Sequence, residues 1–217
     1  MDTARKERPR LRGVSHQIAF FFSAAVGAGL LTVAAAGRPT VATAIYVVTL
    51  LGLFGISALY HRVTWSEKAH LLMRRVDHSA IFLFIAGTGT PIGLLAMEPE
   101  AGRRFLTYSW AAAALGISRA ILWPRAPKPF AAATYLAAGW IAAVYFDEMY
   151  AGVGPFGMAT LVAGGLLYSL GALVYALRRP DPLPTVFGYH EVFHIFVIAA
   201  CALHFLTIAS VVTQAGA

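Results

Sequence analysis

Charge is scarce in this sequence. Of 217 residues, 17 are Lys or Arg and 10 are Asp or Glu, so 12% are charged while 59% are hydrophobic. A soluble domain averages roughly 25% charged residues, and this chain lacks the polar groups to cover a water-facing surface, which excludes a soluble enzyme. Cysteine is nearly absent as well. Cys201 stands alone in an apolar run with no Cys or His at finger spacing, so it carries neither a disulfide framework nor a redox motif and reads as a small buried apolar residue. Fixed-period repeats and low-complexity tracts are also missing. The net charge of +7 would suggest nucleic acid in a soluble protein; in a membrane composition its meaning depends on which side of the bilayer the charges occupy.

Long apolar runs take the place of what is missing. A helix crossing the hydrocarbon core needs roughly 20 mostly apolar residues, because it rises about 1.5 Å per residue through about 30 Å. Seven stretches approach that length: 18–36, 41–60, 79–97, 105–123, 130–146, 156–177 and 187–212, with Gly, Pro, Asp or Arg in every gap. The expected fold is all-α, a single bundle of seven transmembrane helices over 18–213 behind a basic tail, 1–17. The basic stretch 5–12 ahead of an apolar run imitates a signal peptide, but the run 18–36 is longer than the roughly 7–15 residues of a signal core, so it is read as a retained helix.

Lys and Arg on alternate sides set the expected orientation. One side holds five in the tail, then Arg62, Lys68, Arg74 and Arg75, then Arg125 and Lys128, then Arg178 and Arg179, thirteen in all; the other holds Arg38, Arg103 and Arg104. The N-terminus is therefore expected inside and the C-terminus outside. Arg119, one turn from the inner end of the fourth span, is expected to snorkel.

Ionisable groups within or at the edge of a span are costly, roughly 3 kcal/mol for an unpaired charge at mid-bilayer, so their placement is informative. The second span ends inside in Ser57-Ala-Leu-Tyr-His61, the third starts inside with Asp77-His78-Ser79, and the seventh starts inside with His190-Glu-Val-Phe-His194. Ser57, His61, Asp77, His190 and His194 thus reach one side from three helices. His190 and His194, four apart, project from one helix face about one turn apart, which suits a shared ion. Three neutral imidazoles plus solvent make a tetrahedral zinc shell with one open position, as in catalytic sites. Asp77 can be a fourth ligand, can orient a ligand His, or can act as a base on water. Ser57 can bond water, a substrate oxygen or Asp77, or its own helix four residues back.

The other histidines read differently. His78 points about 100° away from Asp77 around its helix and is left out. His204 lies ten residues past His194, about 15 Å along the axis, and is expected to hydrogen-bond within the bundle. His16 and His70 fall in flanking segments and are expected to be solvated. His190-Glu191-Val-Phe-His194 also spells the H-E-x-x-H pattern of metalloproteases, whose Glu is a general base; no third zincin ligand follows on the same segment, so Glu191 is read as a polar group at the helix mouth or a partner of a ligand.

These residues carry a resemblance. Ser57-Ala-Leu-Tyr-His61, Asp77-His78-Ser79-Ala-Ile with Ile85-Ala-Gly87-Thr-Gly-Thr90-Pro91, and Gly188-Tyr-His190-Glu-Val-Phe-His194 with His204-Phe205, occur in the order found in the bacterial hemolysin III proteins, which the chain resembles over its second to seventh spans. That family is the prokaryotic branch of the progestin and adipoQ receptor family, which includes the adiponectin receptors, and is more distantly similar to alkaline ceramidases. The resemblance implies a seven-helix protein of the bacterial inner membrane, N-terminus inside, with zinc near the inner leaflet held by His61, His190 and His194. In the receptor branch the aspartate matching Asp77 reaches zinc through a water, and the serine matching Ser57 lies close by. The receptor branch also has a long cytoplasmic N-terminal domain where this sequence has the tail 1–17, so hormone-type signalling is not expected.

The function expected from these features is a zinc-dependent hydrolase of a lipid amide or ester, with membrane lipid as substrate from the inner leaflet and no nucleic-acid partner. Asp77 would take the proton, Ser57 would steady water or oxyanion, and Gly87, Gly89 and Pro91 would bend the third helix. Residues 62–78, with Trp65, Ala69, Leu72 and Val76 at helical spacing, read as a helix on the anionic inner surface or a plain connector. Two other classes remain open: a non-enzymatic membrane sensor or homeostasis factor with structural zinc, and a cytolytic protein.

Overall fold

The computed structural model describes residues 8–216, and the tail residues Arg5 and Lys6 lie outside that range. Among the described residues the regular structure is helical: α1 (Val14–Val33), α2 (Arg38–Arg62), α3 (Glu67–Pro91), α4 (Pro99–Leu122), α5 (Lys128–Gly139), α6 (Phe146–Leu177) and α7 (Tyr189–Gln214). Six stretches are long and apolar enough to cross a membrane, and one of them is the 50-residue Lys128–Leu177.

That stretch is not a straight rod. A six-residue 3₁₀ segment, Trp140–Tyr145, separates α5 from α6, and Gly154 adopts φ 69° and ψ 179° just ahead of Pro155. Lys128 Nζ, at the start of α5, lies 4.6 Å from the ring centroid of Tyr175, near the end of α6. Ala132 packs with Ala172 in the same way, so α5 and the end of α6 run antiparallel.

Local chemistry sets the helix starts. The Ser66 hydroxyl accepts from the Ala69 amide, and nothing in 67–90 breaks a helix, so α3 runs unbroken through the segment expected to be a surface helix or connector. Asp77 and His78 consequently sit about three turns into α3, not at its start. Past Pro91, whose ring nitrogen cannot donate, the chain widens into a π-helical turn, Ile92–Ala96. Gly87 and Gly89 serve close packing instead of a bend: a Cβ would lie 2.8 Å from Thr49 Cβ at the first and 2.8 Å from Phe105 Cζ at the second.

The main core joins Tyr46, Leu50, Leu53 and Phe54 of α2 to Phe84 of α3 and to Val197, Cys201 and Ile208 of α7. Cys201 is buried there, 3.1 Å from the Tyr168 hydroxyl. Large apolar side chains cover the outside as well, with Leu122 83% and Leu115 74% exposed. A surface of that kind is at home in lipid.

Candidate metal centre

His61 occupies the last turn of α2, while His190 and His194 occupy successive turns at the start of α7. The ring centroids stand 4.7 Å apart for His61 and His190, 5.2 Å for His61 and His194, and 4.5 Å for His190 and His194. His61 Nε2 lies 3.1 Å from His190 Nε2. Tetrahedral ligands about 2.0–2.1 Å from a zinc ion stand about 3.3 Å from one another, so this separation suits two ligands of one ion. One ring nitrogen from each of the three histidines lies within 4.8 Å of the others. His194 is 1% exposed, and its Nδ1 makes no hydrogen bond among the described residues. A buried polar atom of that kind calls for a partner, and three imidazoles form a donor set able to hold a metal ion.

Asp77 stands outside the triad. Asp77 and Ser57 both line a cavity of about 560 Å³ that also reaches His61, His190 and His194. That volume falls in the usual range of small-molecule sites. Ser57, one turn before His61, has its hydroxyl 2.9 Å from His16 Nδ1.

His16 departs from expectation. It is 3% exposed, not solvated, and its ring stacks on His194 at 3.6 Å with 9° between planes. The reason is the position of α1, which starts at Val14 and not at residue 18. His16 then heads a buried stripe with Ala19, Ser23, Gly27 and Leu30. The signal was present: spacings of three and four between small residues, extended one turn back, land on His16.

Arg12 was also missed as part of the site. Its Nε lies 2.6 Å from Glu191 Oε1, and Glu191 is 1% exposed. The other oxygen, Glu191 Oε2, accepts from the Gly188 amide at 2.8 Å and caps α7. Glu191 is thus ion-paired through one carboxylate oxygen and caps α7 through the other, which ties it to the mouth of the helix. The segment carrying Arg12 crosses the mouth of the centre: the amides of Arg10 and Leu11 donate to the carbonyls of Thr185 and Val186 at 2.9 and 3.0 Å. Gly13 follows at φ 79°, and a Cβ there would lie 2.7 Å from His61 Cβ, so only glycine admits this approach.

The remaining histidines lie apart from the triad. His78 Nδ1 is 2.9 Å from the Tyr135 hydroxyl. His70 faces the Tyr60 ring at 5.1 Å and is partly buried, where solvation was expected. His204 Nε2 lies 3.0 Å from the Leu161 carbonyl, the bundle contact expected of it. Arg119 is held, not snorkelling freely: it donates to Thr134 at 3.1 Å and lies over the rings of Phe82 and Tyr135, because α5 closes against α4 at this point.

An apolar helical bundle whose one tight histidine triad joins the end of one helix to the start of another defines a multi-pass membrane protein with a candidate metal centre. The chain belongs to the family described as Haemolysin-III related, which it matches over residues 4–205. It is 32% identical over 168 residues to "Hemolysin-3" of Bacillus cereus, covering 77% of this chain and 74% of that protein. It is 30% identical over 164 residues to "Hemolysin-3 homolog" of Bacillus subtilis, covering 76% and 74%. It is also 30% identical over 172 residues to "Monocyte to macrophage differentiation factor" of Homo sapiens, covering 76% and 67%.

Proposed function

We propose that this chain is a zinc-dependent hydrolase of the bacterial cell membrane that cleaves an amide or ester bond of a lipid entering from the inner leaflet. The observation that carries this reading is the convergence of His61, His190 and His194 with Ser57 and Asp77 on the wall of one cavity. His61, His190 and His194 are the zinc ligands. Zinc in such a site supplies Lewis acidity and lowers the pKa of a coordinated water toward about 7.

The chain's own residues do the rest. Asp77, outside the ligand triad, is the base that accepts the proton of the attacking water. Ser57 gives its O–H to Asp77 and keeps that carboxylate turned to the cavity. Its oxygen then accepts from His16 Nδ1–H, which fixes the hydroxyl rotor. The apolar cavity wall takes the lipid chain and excludes bulk water.

The reading includes seven crossings, a basic tail 1–17 inside, a single membrane domain over 18–213 and the C-terminus outside. The side-by-side placement of Lys128 and Tyr175 supports splitting the 50-residue stretch into two crossings, since a straight helix of that length would extend about 75 Å. The excess of Lys and Arg at one set of loops supports the orientation.

The test is Asp77→Asn in the purified protein. Metal content stays at the wild-type level and turnover across a panel of lipid amides and esters falls at least ~100-fold, as for loss of a general base. Unchanged turnover in the variant, or none in the wild type, turns the reading to a non-enzymatic membrane factor in which the metal ties α2 to α7. Two relatives bear the name hemolysin, and dye release from liposomes containing the purified protein tests that activity; metal-independent leakage favours lysis over hydrolysis.

A further inference from the structure

Lys128 is a cation without an acid partner. It opens α5 and lines the same cavity as His190, Tyr175 and Tyr189, and it is only partly buried. The cations beside it are occupied differently: Arg12 is paired with Glu191, and Arg8 reaches the Val63 carbonyl at 3.4 Å. Lys128 makes no ion pair among the described residues. Asp181, an acid that also lines the cavity, instead accepts from the Tyr189 amide through Oδ1 at 2.9 Å. The hydrolase reading gives Lys128 no role.

Two tyrosines hold the ammonium in place beside the centre. Nζ lies 4.6 Å from the ring centroid of Tyr175 and 4.5 Å from that of Tyr189, and it donates to the Tyr189 hydroxyl. Aromatic rings attract a cation in this position. An ammonium has three donors, and the Tyr189 hydroxyl takes one. The same two rings pack on the candidate ligand His190, at 5.8 Å for Tyr175 and 6.1 Å for Tyr189. Nζ therefore stands at most about 10.4 Å from the centre of the His190 ring, the limit set by the steps of 4.6 Å and 5.8 Å through Tyr175. A group at the triad and a group on Lys128 can thus belong to one lipid headgroup.

We infer that Lys128 is a specificity-determining residue that binds a phosphate of the lipid headgroup while the bond to be cleaved lies at the triad. This rests on the reading that a lipid occupies the cavity, and deepens it by naming the lipid class: glycerolipids whose headgroup is an anionic phosphate a few bonds from the acyl linkage. Lysine binds phosphate as a point charge, and the donors that Tyr189 leaves free supply charge-assisted hydrogen bonds. A neutral headgroup gives the ammonium no counter-charge. A zwitterionic one brings its own cation toward Lys128 and is disfavoured by like-charge repulsion.

The experiment is equilibrium binding of two ether lipids to the full chain in phosphatidylcholine nanodiscs: hexadecyl glycerol ether, and the same ether phosphorylated on its free primary hydroxyl. Neither contains an acyl bond, so the result is independent of turnover. The wild type binds the phosphorylated ether about tenfold more tightly, as expected for a hydrogen bond between charged groups. Lys128→Gln removes most of that preference and leaves the affinity for the plain ether unchanged, a split that a merely structural role would not produce. Lys128→Arg retains the preference, and thermal midpoints are recorded for both variants. Lys68→Gln removes an exposed cation that does not line the cavity, and keeps the preference. Inorganic phosphate at the same concentration does not displace the phosphorylated ether; equal competition would assign Lys128 to free phosphate and overturn the lipid specificity. Equal affinity for the two ethers, a preference that survives Lys128→Gln or falls as far in Lys68→Gln, or binding of neither ether also overturns it. Equal affinity alongside Asp77-dependent hydrolysis removes the headgroup specificity alone. A Lys128-dependent preference without hydrolysis of any lipid upholds it and removes the enzyme reading.

Discussion

The imidazoles of His16 and His194 lie face to face, 3.6 Å apart, with His16 also bonded to Ser57 at 2.9 Å. One side chain of α1 thus touches a candidate metal ligand of α7 and the serine of α2 that lines the cavity with Asp77. Groups that orient a ligand typically matter about 10–100-fold in metal affinity when removed.

His16→Ala is therefore expected to weaken zinc binding about tenfold or more, read by competition with a chromogenic chelator. His16→Phe keeps the stack but not the bond to Ser57, and is expected to recover metal affinity while leaving hydrolysis impaired. Wild-type affinity in His16→Ala would show that the stack has no influence on the centre.

Arg12 and Glu191 give a stability prediction. Removing one member of a buried pair strands the other charge at a cost of roughly 3–5 kcal/mol. Arg12→Ala should lower the thermal midpoint in detergent substantially. Glu191→Gln should lower it less, because the amide oxygen still accepts from Gly188, and should retain hydrolysis. Loss of hydrolysis in a folded, metal-loaded Glu191→Gln would restore the protease-type base.

The two ends of the chain should lie on opposite sides of the membrane. A reporter fused after residue 217 is expected to be active only when it functions outside the cytoplasm, as alkaline phosphatase does, and a fluorescent protein fused there should stay dark. The reverse pattern would mean an even number of crossings or an inverted bundle.

The sequence foretold the helical bundle and the triad because both leave long-range marks: apolar runs of membrane-spanning length, and imidazoles at the ends of separate runs. The four-residue spacing of His190 and His194 fixed their common face before any packing was known. Less legible was whatever depended on where a helix begins. Starting the first helix at residue 18 hid the buried stripe that His16 leads, and the charged residues of 67–75 masked the continuity of α3, whose Ser66 cap and lack of a breaker settle the matter locally. The Arg12–Glu191 pair joins residues far apart in the chain, and no periodicity encodes such a contact.

Metal analysis of purified wild type beside His61→Ala and His194→Ala is the most direct test of the convergent centre. About one zinc per chain in the wild type, lost from both variants while their helical content persists, is the expected result. A wild type purified without chelators that binds no metal, or either variant retaining its full equivalent, would contradict it.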